Sequence, residues 1–517
     1  MSPLRRVHVR RPPAGLSHGT DRSPVSSFTR SRTRRAATAV VLAVLATTLG
    51  ASNGAEGSTT NTAGTAARYD AGLLTGSQGT PTISAVATTP GRSSATGPAQ
   101  ATGADEEVAV PKTAWVHLDG HGWGHGRGMS QYGAGGQAAA GRSWQQILSY
   151  YYPGTTRTET QQGADRRVKV LLTADSTSDV VVSHRSRLRV HDLVSNRVRQ
   201  LPTTVQVPDA DGERVTVAVR RWRLWVNPRK KLVLQHQTRA TGTWRWRWYA
   251  TMATDPRTGH ASARPGAAEF YAGGAPITLH TPAGATPYRG RIRSAPDAAN
   301  PTRARSRDTV NVISLENYLR GVVPREIPAS WPRAAVSAQA VAARTYAIFE
   351  RSEAPADRPW QICDTAHCQV YGGAAAEHPA SDAAIRETAR IYLSWQGQPA
   401  FTQFTSSNGG WSVNGGRPYL PAREDPTDAW SANPNHDWSA RVSDTTIEAA
   451  WPTSGELTSL RVTSRDGNGE WGGRVRQIQL TGINDGRQVR LLVSGSTFRS
   501  ALSLKETWFT VTGTSRR

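Results

Sequence analysis

Cysteine and methionine are nearly missing from this chain: two and three residues in 517. Two cysteines exclude a disulfide-dense scaffold and a multi-cysteine metal cluster. Lysine is scarce as well, five against 57 arginines. That bias resembles the output of a GC-rich genome, so arginine content alone argues little. No stretch approaches eighteen apolar residues, which leaves no candidate membrane-spanning helix. Hydrophobic residues make up 37%. This is low for a compact protein and too high for a wholly disordered one, and it predicts a folded body with long polar segments. The length allows two or three domains. The formal net charge is +23. Nine arginines and one aspartate fall in the first 36 residues, so roughly +15 belongs to the remainder. A basic chain meets anionic partners readily, either nucleic acid or an anionic cell wall.

The beginning reads as an export signal. Arg30, Arg32, Arg34 and Arg35 precede an apolar run from Ala36 to Leu45, and small residues follow. The run is short for a bilayer and has a signal-peptide layout, with cleavage expected near Ala51–Ala55. Residues 1–55 are therefore read as a signal peptide with an extended basic start. Residues 56–110, rich in Ser, Thr, Gly and Ala, are read as a linker that can bury little. Export makes a nucleic-acid partner unexpected, predicts no stable membrane insertion after cleavage, and predicts a secreted protein. The folded domain is expected over 111–511.

A β-rich lobe is predicted at about 167–295. Segments such as RVKVLLT (167–173), 214–219 and 232–236 carry alternating or β-branched residues between turn residues. The run WRWRWYA sets Trp244, Trp246 and Trp248 on one strand face and Arg245 and Arg247 on the other. Two readings follow: a half-buried strand whose tryptophans pack inward, or an aromatic and basic surface that binds a polymer. After a strand at 309–313, Ser314 is placed to cap a helix to about Val323, with Glu316 and Arg320 paired at i,i+4 and Pro324 ending it. Ser330 and Trp331-Pro332 then open an alanine-rich helix to about Glu350, whose small side chains suit close packing on several sides. Strands return at 389–395, 400–405, 457–462, 475–481 and 487–493. The sum is an α+β fold, an antiparallel β-rich body around a central alanine-rich helix block.

Four groups of residues carry candidate chemistry. Glu326 lies between Pro324 and Pro328 beside apolar Ile327 and Trp331. Burial there raises a carboxyl pKa and suits proton donation, whereas a helix N-terminus lowers it. Cys363, His367 and Cys368 form C-x3-H-C, which can supply three ligands to a structural zinc or close a local disulfide. GHGWGHGRGMSQYGA (120–134) lets backbone approach a ligand, with His125, Gln131 and Tyr132 to contact it, or serves as a structural glycine loop. It matches neither a P-loop nor a dinucleotide fingerprint. Ser407, Asn408, Tyr419, Asp425, Asp428 and His436 sit in a polar, aromatic stretch suited either to a sugar polymer or to loop anchoring.

Taken together, SLENYLRGVVPREIPASWPRAAVSAQAVAARTYAI (314–348), CDTAHCQVYGG (363–373), TSSNGGWSV (405–413) and GHGRGMSQYGA (124–134) resemble the family of stage II sporulation protein D and the LytB-like amidase enhancers. The resemblance spans about 300 residues between 115 and 511. It implies a peptidoglycan function. The sporulation member is a lytic transglycosylase, and its catalytic glutamate falls on Glu326. Some members bind zinc through the segment matching Cys363, His367 and Cys368. Enhancer members stimulate a cell-wall amidase. Glycan contacts are expected at His125, Gln131, Tyr132, Arg344, Ser407, Asn408 and Tyr419. In the usual family order the GHGxGMSQYGA segment closes the domain, whereas here it opens it, which resembles a circular permutation. Such an order is tolerated where the two domain ends are neighbours, and it predicts that 115–155 packs beside the strands of 457–511.

The implied reaction is cleavage between N-acetylmuramic acid and N-acetylglucosamine to leave a 1,6-anhydromuramoyl end. One carboxyl suffices for it. A hydrolase needs a second carboxylate some ~5–9.5 Å away, for which Asp425 and Asp428 are the candidates.

Overall fold

The computed structural model describes residue 105 and residues 107–517, except 161–166, 176, 256–263 and 301–302. The signal-peptide segment and nearly all of the linker lie outside the described residues. Structure begins before Trp115, however. Val108–Ala109 pairs with the strand Glu456–Arg465, Val110 is buried, and Asp105 forms an ion pair with Arg465.

Strands dominate and are mostly antiparallel. A seven-stranded sheet runs in the order 362–363, 167–171, 307–314, 291–296, 268–271, 189–192, 197–200, and only its 362–363 edge pairs in parallel. A six-stranded sheet runs 245–251, 232–238, 221–226, 179–183, 277–281, 284–288. Alternation gives each strand a core face: Trp222, Leu224 and Val226 point inward from 221–226, as do Val180 and Val182 from 179–183.

The tryptophans of the WRWRWYA strand do not pack inward. Trp248 is 64% exposed and Trp244 43%. A bulge opposite Leu234/Gln235 inserts Tyr249 as an extra residue. Tyr249 then meets the buried Trp222 edge-on at 4.9 Å, and Ala250 takes the core position. The bulge resets the phase and leaves Trp246 and Trp248 on the outer face.

The described helices include α1 (Gln131–Ala139), α2 (Trp144–Tyr151), α3 (Leu315–Glu326), α4 (Arg333–Glu353), α5 (Pro379–Glu387), α6 (Asp444–Ala450) and α7 (Gly495–Ala501). α3 continues through Pro324, contrary to the expected stop. The proline removes one backbone donor, but it lies in the last turn. Ile327 N–H still closes on the Val323 carbonyl at 3.0 Å. α4 is buried along most of its length and packs against α1, α2, α3 and α5. Its alanines permit that approach. Among the described residues no helix is long and apolar enough to cross a membrane.

A second core lies under the strands Ala114–His121, Asp437–Ser443, Glu456–Arg465, Val475–Asn484 and Phe509–Arg516. Ala114–His121 sits between Asp437–Ser443 and Phe509–Arg516, and Arg517 N–H reaches the Thr113 carbonyl at 2.8 Å. The start of the domain therefore adjoins its end, but of the 115–155 segment only the part up to about Gly124 lies there, and α1 and α2 pack on α4 instead.

Candidate active site

The strand Arg307–Ser314 feeds directly into α3, and Glu326 is the last residue of that helix. It therefore sits at the carbonyl end of α3, not at the N-terminus of α4, which starts at Arg333. The pKa-lowering helix end considered from the sequence does not act on it. α3 is held by Arg320, which donates to Asp382 at 3.0 and 2.7 Å and lies 2.7 Å from Glu377. The predicted Glu316–Arg320 pair does not form. Glu316 is taken by Arg344 at 2.9 and 2.8 Å.

Glu326 is half-buried. Its Oε1 accepts from Val370 N–H at 2.9 Å, and the Gln131 side chain also hydrogen-bonds the carboxyl. Burial pushes its pKa above the ordinary value, and these two donors and Arg325 only partly oppose that. Burial first, and then the Glu326 charge, raise the hydroxyl pKa of Tyr318; for Tyr346 burial and Glu350 come before Glu326. The carboxyl thus holds its proton at higher pH than a solvated glutamate would.

Two chain segments build this environment. The loop after Cys363 is pinned to α3 by Gly372 N–H on the Gly321 carbonyl at 3.0 Å. Tyr371 also donates to Asn311 at 2.8 Å and packs on Tyr318 at 5.0 Å. That loop presents Val370. The glycine-rich segment presents Gln131. Met129–Ser130 pairs in parallel with Phe404–Thr405, which fixes α1 beside α4. The sequence predicted no helix at 131–139, because QYGAGGQAA is poor in helix formers. Here glycine serves close packing: a Cβ on Gly135 would come within 2.4 Å of the Trp430 ring.

Gln339 of α4 was missed. Its Oε1 lies 3.5 Å from Gln131 Nε2, and its own buried Nε2 has no hydrogen-bond partner among the described residues. The signal was present, a lone amide in an alanine helix. Trp331 and Trp430 were missed too. Tyr132 packs tilted at 4.7 Å against Trp331, which meets Trp430 nearly perpendicular at 5.0 Å. All three rings are half-exposed, forming an aromatic ledge next to Gln131 in α1.

The other expected glycan contacts lie elsewhere. Arg344 is fully buried, paired with Glu316 and donating to the Ile391 and Ile385 carbonyls at 3.1 and 3.3 Å. Ser407 and Asn408 are fully buried. Asp428 gathers Ser130 Oγ at 2.5 Å, Ser407 Oγ at 2.7 Å, Asn408 and Gly409 N–H at 3.1 and 3.0 Å, Asn433 Nδ2 at 3.1 Å and His436 Nδ1 at 3.0 Å. Asp425 accepts from Tyr151, Asn408 and Thr427 at 2.7, 2.8 and 2.7 Å. Tyr419 is buried, its hydroxyl accepting from Phe401 N–H at 2.9 Å. These side chains anchor loops. Buried polar groups need such partners, and a sequence cannot show whether the partner is protein or ligand. His125 accepts from Arg127 N–H at 3.0 Å. Burial first, then Arg127, Arg499 and Arg474, push its pKa down to about 4, so it is neutral. Of the expected set, Gln131 bonds Glu326, and Tyr132 follows it in α1, packed against Trp331 and Trp430.

Cys363 and Cys368 are joined in a disulfide. Of the two alternatives, this is the one the structure holds. Sulfurs bonded to each other offer zinc no thiolate, so the Cys363, His367, Cys368 set as placed does not fit the metal. No group of three or more His, Cys, Asp or Glu is positioned for a metal ion among the described residues.

Residues 303–395 match the model of a family described as Stage II sporulation protein. The chain is 34% identical over 101 residues to an uncharacterized protein of Brachyspira hyodysenteriae, covering 20% of this chain and 27% of that one. It is 30% identical over 161 residues to the amidase enhancer of Bacillus subtilis, covering 28% and 21%. The chain thus spans about a quarter of the length of these curated relatives. Glu326, α3, α4 and the disulfide loop fall within the matched family segment. Gln131 falls outside it.

Proposed function

From a segment, 303–395, that belongs to the stage II sporulation protein family, we propose that this chain is a peptidoglycan lytic transglycosylase acting in cell-wall remodelling. The observation that carries this reading is Glu326, a half-buried carboxyl whose pKa is raised by burial and which is bonded by Gln131, the neighbour in α1 of the Tyr132, Trp331 and Trp430 ring cluster. Rings of this kind stack on sugar faces. Gln131, itself buried, hydrogen-bonds the Glu326 carboxyl and also reaches Gln339 Oε1 at 3.5 Å, which fixes the carboxyl in place.

In the proposed reaction, protonated Glu326 gives its proton to the glycosidic oxygen between N-acetylmuramic acid and N-acetylglucosamine. The C1–O bond breaks and its electron pair stays on that oxygen. The muramoyl 6-hydroxyl oxygen bonds to C1 and yields its proton to the Glu326 carboxylate. The 1,6-anhydro end forms and the acid is regenerated. A raised pKa serves both steps, since the group must start protonated and then accept a proton. Asp425 and Asp428 are already occupied by donors, which disfavours a two-carboxylate hydrolase.

Likeness to the amidase enhancer supports a second reading, a wall-binding protein that stimulates an amidase without cleaving glycan. Incubating purified glycan strands with the wild type and with Glu326→Gln decides between them. Anhydromuramoyl products from the wild type alone support the enzyme. Binding by both proteins with cleavage by neither overturns it in favour of the enhancer.

A further inference from the structure

The outer face of the six-stranded sheet lies far in sequence from Glu326 and has no part in the reaction above. Register places its side chains in rows. Trp248 lies opposite Gln235, Gln235 opposite Arg223, and Arg223 opposite Val181. The next row is Trp246, Gln237, Arg221 and Ser183. His280 continues the sheet beyond Val181, with its Nε2 2.8 Å from Ser183 Oγ.

Indoles and guanidiniums interleave on this face. Arg223 lies 4.4 Å from the Trp246 ring centre and 5.0 Å from Trp225, and Arg220 lies 4.7 Å from Trp244. Arg223 is balanced by Asp179 at 3.3 Å. Arg220 and Arg221 have no ion-pair partner among the described residues. His280 senses them: burial first, then Arg221 and Arg220, lower its pKa. The surface is therefore aromatic, locally positive and lined with amides and a hydroxyl. Large exposed indoles in a soluble fold mark an interaction surface.

We propose that this face, Trp244, Trp246 and Trp248 with Arg220, Arg221 and Gln237, binds an acidic polysaccharide. Sugar rings stack on the indoles, carboxylates meet the two unbalanced guanidiniums, and hydroxyl or acetamido groups meet the amides. Charge complementarity selects an anionic polymer. The glutamines, Ser183 and the internal balancing of Arg223 favour a hydroxyl-rich chain with sparse charge over a nucleic acid, which needs many phosphates neutralised. The inference does not rest on Glu326, because binding here needs no cleavage.

The test is binding of the full chain to hyaluronan, a soluble carboxylated and N-acetylated glycan, by calorimetry at physiological salt. Neutral chitin oligosaccharides, polyglycerol phosphate and single-stranded DNA are the comparison probes. Trp248→Ala with Trp244→Ala, both exposed and safe for folding, is expected to weaken hyaluronan binding about tenfold or more. Arg220→Gln with Arg221→Gln is expected to weaken hyaluronan binding and leave chitin oligosaccharide binding unchanged. Equal affinity of wild type and both double variants overturns the proposal, as does tighter binding to DNA or polyglycerol phosphate. Anhydro product formation, measured in parallel, reports separately on Glu326.

Discussion

Glu326 and Asp428 are both carboxylates removed from water, and their surroundings differ in kind. Asp428 is fully buried and gathers six donors from four segments: Ser130, the Ser407–Gly409 turn, Asn433 and His436. Its lone pairs are taken, and it holds the glycine-rich segment to the 405–413 loop. Glu326 is half-buried and has one backbone N–H and one amide. The contrast separates a staple from a reactive group. A carboxylate that accepts from many protein groups ties chain segments together, whereas a buried one with few donors holds its proton more tightly than a solvated glutamate.

The largest expected effect breaks the reactive side. Glu326→Gln should lower anhydromuramoyl product formation by about 10³-fold with the fold intact, as judged by circular dichroism and product chromatography. The same variant tests the sign of the pKa shift. Because the folded pKa is raised, the folded state keeps a proton that the unfolded chain loses first as pH rises. The Glu326 contribution to stability should therefore fall as pH climbs from the ordinary glutamate pKa through the raised one, and Glu326→Gln should make the measured slope shallower in melting experiments, the other buried carboxyls such as Asp425 and Glu350 keeping theirs. Product formation by the wild type should decline across the alkaline part of the same range.

Asp428→Asn breaks the other side. It turns an amide N–H₂ toward groups that donate, and should cost about 3 kcal/mol in urea denaturation. At low temperature the surviving folded fraction should cleave with an unchanged kcat. A large kcat loss there would erase the distinction between the two carboxylates.

Removing the Cys363–Cys368 link by a double serine substitution should cost about 2 kcal/mol for so short a loop. It should also lower activity, since the loop carries the Val370 N–H that meets Glu326. Stability lost without any change in the pH profile would show that the loop does not set the Glu326 environment. The smallest expected effect is Gln131→Leu. Its hydrogen bond lowers the Glu326 pKa, so its loss should move the alkaline limb to higher pH, with activity at the optimum within about tenfold of wild type.

Much of this contrast was legible in the sequence, and particular residues mark where legibility stopped. Glu326 stood out through its prolines and apolar neighbours, and Gln131 through its glycine-rich setting. Ser407, Asn408, Tyr419 and Arg344 looked equally suited to sugar. Each instead found a protein partner remote in sequence, such as Arg344 with Glu316. α1 was illegible because its glycines disfavour a helix locally, and its packing against Trp430 is a long-range fact. Which way the tryptophans face was left open between two readings, and the inward one fails where one inserted residue, Tyr249, resets the alternation.

The sequence by itself determined the α+β balance, the alternating strands and the alanine-rich helix. Those follow from local periodicity and composition, which the chain carries residue by residue. Only the tertiary structure decided which polar side chains are staples, that the two cysteines bond each other, and that a segment some 200 residues upstream delivers Gln131 to Glu326. These depend on which donors meet which acceptors across the fold, and burial makes that pairing obligatory without writing it into any short stretch of chain.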